Sequence, residues 1–374
     1  MEEKIKKYIY STSLLAGTII GVGLFSLPYI TAQVGLPITI FYFLIIIGLV
    51  LVIHLLFSEV ALKTPDFLRF SGYAKIYLGK IGSSLTSISV IGSLIGSLLA
   101  YLIVGGKFLG EIFIPIVGGN DFIFVILYFI LGSIFIFFGV RAISKIEFWG
   151  LVLFILILCL LVFPSISHFK RVNLSVAFNS SDLFLPYGPI LYSLWGAALI
   201  PQAEEILGRE KKQLKKITAI SIIIPSVVYL FFIIMILGIA GENVSPAALT
   251  CLGGILGNNI YKIGLLLGVL TTFTSFVALG LTLKDVFHYD FKISKNISWF
   301  FTCFVPLALF LLGFQNFIEI IGFIGAVFLG ITGILIIFMY QKIKKETLKV
   351  KILTLPLILV FALGIIYQII YFLK

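Results

Sequence analysis

Residues 11–28 read STSLLAGTIIGVGLFSLP, inside an apolar stretch that runs from about residue 9 to 34. A helix of about 20 such residues crosses the hydrocarbon core of a bilayer. This one carries Gly17, Gly21 and Gly23, a cluster of hydroxyls, and Pro28. Glycine costs about 1 kcal/mol in a helix interior and proline removes an amide donor. The expectation is therefore a span that comes apart around Gly21-Val22-Gly23. Gly17 and Gly21 are also spaced as a GxxxG face, so close packing against a neighbouring helix is the competing explanation.

The rest of the chain sets that stretch in context. Of 374 residues, 60% are hydrophobic and 11% charged, too apolar for a water-soluble globule. Eleven apolar stretches follow one another, at roughly 9–34, 37–62, 82–110, 121–140, 146–166, 184–206, 217–240, 260–283, 297–314, 317–340 and 352–373. The expected class is an all-α integral membrane protein of 11 transmembrane helices, one membrane domain over 1–374. The first span continues too far for a signal-peptide core and is read as retained. Cys159, Cys251 and Cys303 are scattered, without metal-ligand or disulfide spacing.

A formal net charge of +11 raises the question of nucleic acid. The distribution of the cations answers it. Alternate loops hold Lys4, Lys6, Lys7; Lys63, Arg69, Lys75, Lys80; Arg141, Lys145; Arg209, Lys211, Lys212, Lys215, Lys216; Lys284, Lys292, Lys295; and Lys342, Lys344, Lys345, Lys349, Lys351. These are 22 of the 27 Lys and Arg residues. Cytoplasmic loops retain such residues, so the excess is topogenic and no nucleic-acid partner is implied. The N-terminus is expected in the cytoplasm, the C-terminus outside, and the protein in the cell membrane among lipid. Nothing in the sequence indicates an oligomeric state.

A second interrupted span, the sixth, reads PYGPILYSLWGAALIPQAEE from Pro186 to Glu205. Spans one and six open two five-helix halves, about 8–170 and 183–342, with 352–373 left over. Because each half has an odd number of helices, the two enter from opposite sides, an inverted repeat. Paired interruptions in corresponding helices point to a mid-membrane binding site. A broken helix bares N–H groups at one half-helix and C=O groups at the other. A zwitterion suits both: its carboxylate at the amides of Gly21, Val22 and Gly23, its ammonium at carbonyls of Gly17, Thr18 and Ile20 and of Tyr192 and Ser193. Trp195 and Gly196 complete the second break, Trp195 as a lid or an ordinary buried aromatic. Span three adds a polar stripe, Ser89, Ser93, Ser97 and Tyr101, read as cavity lining or tight packing.

Residues 16–28, Pro186 through the basic run Lys211–Lys216, and Thr272 to Asp285 together resemble the tryptophan/tyrosine permeases, a branch of the amino acid/auxin permease group in the amino acid, polyamine and organocation superfamily. The resemblance implies a leucine-transporter-type fold, 5+5 helices plus one, with helices 1 and 6 discontinuous. It also implies secondary uptake of a neutral, possibly aromatic, amino acid, with no enzymatic activity and no cofactor beyond a coupling ion, H⁺ or Na⁺. In sodium-coupled members of this fold, hydroxyls of span eight join first-helix carbonyls around the cation. The matching positions are Thr271, Thr274 and Ser275 with Gly17 and Ile20, although hydroxyls bonded back to their own helix are the alternative. For proton coupling the titratable candidates are Glu204, Glu205, Glu59, Glu147 and His54.

Other classes fit less well. A membrane enzyme needs converging acid, base or nucleophilic groups inside the spans, and none converge in the sequence. A channel lines its pore with repeated polar or charged rings rather than two isolated breaks. A non-transporting amino acid sensor on the same fold remains the alternative that sequence leaves open.

Overall fold

The computed structural model describes residues 2–65, 68–139, 143–175 and 182–373. Fourteen α-helices are found among them and no strand: α1 (Glu2–Ile19), α2 (Gly23–Val34), α3 (Leu36–Lys63), α4 (Phe70–Val117), α5 (Asp121–Phe138), α6 (Ile143–Ser165), α7 (Tyr187–Ser193), α8 (Ile200–Leu207), α9 (Leu214–Ala240), α10 (Asn258–Asp285), α11 (Lys295–Leu311), α12 (Phe317–Phe323), α13 (Gly330–Ile343) and α14 (Leu348–Leu373).

These helices assemble the eleven expected crossings. α3, α4, α5, α10 and α14 are each long and apolar enough to span alone. α1 and α2 pass that test only as a pair, bent by 45°. α7 and α8 form the sixth crossing ahead of α9, and α12 and α13 form the tenth, joined through a π-helical turn at Ile324–Leu329. α6 and α11, with shorter apolar cores, supply the fifth and ninth.

Local chemistry explains where the helices end. Gly35, at φ 87°, turns the chain between α2 and α3, and Pro37 follows within the first turn of α3, where its missing N–H costs nothing. Gly79, at φ 71°, kinks α4 near its start. Asn120 caps α5 by accepting from the Ile123 amide at 3.1 Å.

The environment decides which faces are apolar. Phe41, Leu44 and Ile45 on α3 and Leu353, Leu363 and Leu373 on α14 are exposed, as lipid rather than water requires. At the centre, Val22, Leu24, Phe25, Ile190 and Leu194 are completely buried, so the two interrupted crossings lie in the middle of the bundle. α14 is peripheral, yet Phe361 packs inward, and its ring fills the space beside Gly333 of α13.

At one end of the bundle the basic loops are laced by ion pairs. Glu59 of α3 accepts from Lys215 of α9 at 2.8 Å and lies 2.7 Å from Lys344, with Lys63 at 3.8 Å. Lys4 meets Glu210 at 2.9 Å, and Arg69 reaches Asp285 and Asp290 at 3.7 Å.

Candidate functional site

In the first break, the Ile20 amide still bonds the Ala16 carbonyl at 2.9 Å, but the Gly21 amide turns back to Ile19 at 2.8 Å. Helical pairing resumes only with Leu24 to Gly21 and Phe25 to Val22, at 3.2 and 3.1 Å. The amides of Val22 and Gly23, at the N-terminus of α2, have no acceptor among the described residues. They point positive partial charge at whatever lies in front of the half-helix.

In the second break, α7 stops at Ser193 and α8 begins at Ile200. The Trp195 amide bonds Tyr192 at 3.3 Å, while the Gly196 amide leaves the chain and donates to Nε2 of His54 at 2.9 Å. Nδ1 of His54 lies 2.8 Å from the Val50 carbonyl. A carbonyl can only accept and an amide N–H can only donate, so the imidazole is neutral, with its proton on Nδ1. His54 thus serves as an acceptor for an amide that the broken helix cannot pair. Trp195 stacks edge-on against it, with ring centroids 5.1 Å apart.

The two breaks meet. A Cβ on Gly23 would stand 2.9 Å from Cα of Ser193, and one on Gly21 would run into the Tyr101 hydroxyl. Above them the fully buried Tyr229 of α9 places its hydroxyl against the carbonyls of both Ile19 and Ser193, the latter at 3.0 Å. The C-terminal ends of α1 and α7 therefore converge on one phenol, and two helix C-termini together favour a cation.

A cavity of about 70 Å³ opens between the breaks. Thr18, Gly21, Gly23, Ser93, Ser97, Tyr192, Ser193, Trp195 and Gly196 line it, with Tyr101 and, from the eighth and tenth crossings, Leu279, Thr282 and Leu329. Ser97 donates to Ser93 at 2.7 Å and Ser93 to Val90 at 2.9 Å, so both hydroxyls still have lone pairs to offer. Val22 is completely buried and is not among the residues that line the cavity. Ser89 is buried but does not line the cavity.

Gly17 and Ile20 face the other way, into a second cavity of about 420 Å³ that also holds Thr271, Thr274 and Ser275. Thr271 donates to Leu267 at 2.8 Å and Thr274 to Thr271 at 3.2 Å. This back-bonding uses each hydroxyl's proton and leaves its oxygen free to ligate a hard cation, so the two explanations of the hydroxyls are compatible. Ser275, 2% exposed, has no hydrogen-bond partner among the described residues.

The carboxylate candidates lie elsewhere. Glu59 and Glu204 are in the ion-pair layer, Glu204 with Lys211 at 3.7 Å, and Glu205 is exposed on α8; none lines either cavity. The Glu147 side chain falls outside the described residues. Tyr229 was not among the expected site residues: a tyrosine in an otherwise uniform apolar span reads as packing, and only its polar tip hinted at a buried acceptor.

Eleven crossings, two of them unwound at mid-depth and facing each other, define a carrier of the leucine-transporter type. Comparison with known proteins agrees. The model of the tryptophan/tyrosine permease family matches residues 4–371, and the chain belongs to that family. It is 26% identical over 388 residues to tyrosine-specific transport system 1 of Haemophilus influenzae, covering 97% of this chain and 96% of that protein. Among solved structures, MhsT in complex with L-phenylalanine superposes with a TM-score of 0.73 at 15% identity, over 97% of both chains. Mhp1, a nucleobase-cation-symport-1 family transporter with bromovinylhydantoin bound, gives 0.64 at 12% identity, over 98% of this chain and 90% of that one. The protein is a multi-pass amino acid permease, not an enzyme.

Proposed function

We propose that the chain takes up a neutral aromatic amino acid by alternating access, driven by a monovalent cation. The carrying observation is the pair of unpartnered amides at Val22 and Gly23, set opposite the converging carbonyl ends at Ile19 and Ser193. The substrate carboxylate sits at the amides and its ammonium at the carbonyls, with no ionised side chain needed at mid-membrane. Tyr101, Tyr192, Trp195 and Leu329 enclose the side chain. The name of the H. influenzae relative and the phenylalanine in MhsT both favour an aromatic substrate.

The coupling cation lies in the second cavity, between the carbonyls of Gly17 and Ile20 and the hydroxyls of Thr271, Thr274 and Ser275. Because Gly17 and Ile20 belong to the same unwinding segment as the substrate amides, occupancy of one site shapes the other. The halves 8–170 and 183–342 act as the inverted repeats. The N-terminus and the basic loops lie in the cytoplasm of a cell whose plasma membrane holds the protein.

The test is uptake of labelled L-tyrosine and L-tryptophan into proteoliposomes, with Na⁺ and H⁺ gradients imposed separately. Accumulation driven by Na⁺ and lost in Ser275→Ala supports the cation site. Accumulation on a proton gradient alone moves the coupling to a titratable group and away from the hydroxyls. Binding without accumulation under either gradient makes the chain a sensor.

A further inference from the structure

A groove of about 820 Å³ opens at the lysine-rich end of the bundle and shares no lining residue with the two cavities above. α4 leaves that end and α10 returns to it, the two helices side by side, with the Phe108 ring filling the space beside Gly268. The groove lies between the start of α4 and the chain just past α10, where Asp290 and Phe291 line it. Farther along α4 its lining turns apolar, with Ile88, Ile91 and the Phe328 ring, which packs on Gly92. Ile76, Ile81 and Leu85 of the same stretch are exposed, so it faces acyl chains rather than open water.

The polar part of the groove is cationic. Lys75 lines it and has neither an ion pair nor a hydrogen bond among the described residues. The same holds for Lys80 and Lys292, which are close in the chain to lining positions. Asp290, the one carboxylate in the lining, is already engaged: Ser71 donates to it at 2.6 Å and the Arg69 guanidinium lies 3.7 Å away. The Ser84 hydroxyl has no partner among the described residues. Ser87 donates to the Ser83 carbonyl at 2.9 Å and Ser83 to the Ser71 carbonyl at 3.2 Å, so both keep lone pairs with which to accept.

A phosphodiester accepts and cannot donate, which suits the Lys75 ammonium and the Ser84 hydroxyl; the hydroxyls of a glycerol headgroup can donate to Ser83 and Ser87. We infer that the groove holds an anionic phospholipid, its phosphate at Lys75 and Ser84 and one acyl chain along Ile88, Ile91 and Phe328. Seated there, the lipid bridges the start of α4 and the chain past α10, which Arg69 already joins by lying 4.5 Å from the centre of the Tyr289 ring. The inference is independent of the central site.

The experiment exposes the full chain in detergent to equal amounts of phosphatidylglycerol and phosphatidylethanolamine and reads the retained lipid by native mass spectrometry. One phosphatidylglycerol is retained in preference to the neutral lipid, and millimolar inorganic phosphate does not displace it. Lys75→Gln lowers its occupancy about fivefold, one lysine's share of the attraction to an anionic lipid, and Lys75→Arg keeps it. Ser84→Asp, which sets a negative charge in the groove, lowers it as well. Both positions are exposed, and an unchanged melting temperature without added lipid shows that each variant folds. Phosphatidylglycerol raises the melting temperature of the unaltered protein and not that of Lys75→Gln, because a ligand of the folded state stabilises it. Equal retention of both lipids overturns the inference, as does occupancy indifferent to Lys75 and Ser84. Displacement by inorganic phosphate also overturns it and marks a site for the free anion.

Discussion

The Tyr229 hydroxyl has one proton and two carbonyls within reach, at the ends of α1 and α7. It can satisfy only one at a time; the Ile19 carbonyl also accepts the Gly21 amide, so the Ser193 carbonyl is the one that a substrate ammonium would serve in the proposed binding mode. Tyr229→Phe keeps the ring and removes the donor. It is expected to destabilise the protein by about 1–3 kcal/mol, the cost of a buried acceptor left unpaired. Uptake should fall about tenfold or more, as a loss of 1.4 kcal/mol or greater implies; thermal unfolding in detergent and uptake check the two effects. His54 makes the complementary contribution by accepting the Gly196 amide. His54→Leu strands that amide and should lower stability by about 1–3 kcal/mol. His54→Gln, whose carbonyl can accept, should recover most of the loss in the same melting assay. If Leu and Gln behave alike, the imidazole's acceptor role is wrong.

At the scale of elements, the scaffold around the breaks depends on backbones that touch. A Cβ on Gly325, in the π-helical turn of the tenth crossing, would lie 2.7 Å from the Gly188 carbonyl carbon of α7 and 3.0 Å from the Tyr192 amide. Neither neighbour is a side chain that can swing aside. Gly325→Ala is therefore expected to cost about 1–3 kcal/mol through overpacking, read as a lowered melting temperature. The interrupted spans were legible in sequence because glycine and proline advertise weak helix, and because their pairing across two halves is a pattern. The same holds for the hydroxyl face of α10, where spacing alone put Thr271, Thr274 and Ser275 on one side. The partners of the breaks were not legible. Tyr229 and His54 lie on α9 and α3, far along the chain from the atoms they serve, and a lone polar residue in an apolar run does not say which distant backbone group it will meet. Likewise, the π turn at Ile324–Leu329 has no signature beyond a run of small and apolar residues. Of the glycines in that crossing, Gly325 is given over to close helix contact.

For the whole molecule, the orientation proposed from where the lysines gather can be measured directly. In a background with the three native cysteines replaced, Asn120→Cys should react with a membrane-impermeant maleimide on intact cells, and Lys349→Cys only after permeabilisation. Both positions lie in or beside loops at opposite ends of the bundle. The reverse labelling pattern would turn the carrier over. At the lysine-rich end, Glu59 gathers Lys63, Lys215 and Lys344 around one carboxylate. A movement that parts α3 from α9 or from the end of the tenth crossing must unfasten this clasp. Such pairs weaken as ions screen them, so the ionic strength bathing that mouth sets part of how readily it swings open.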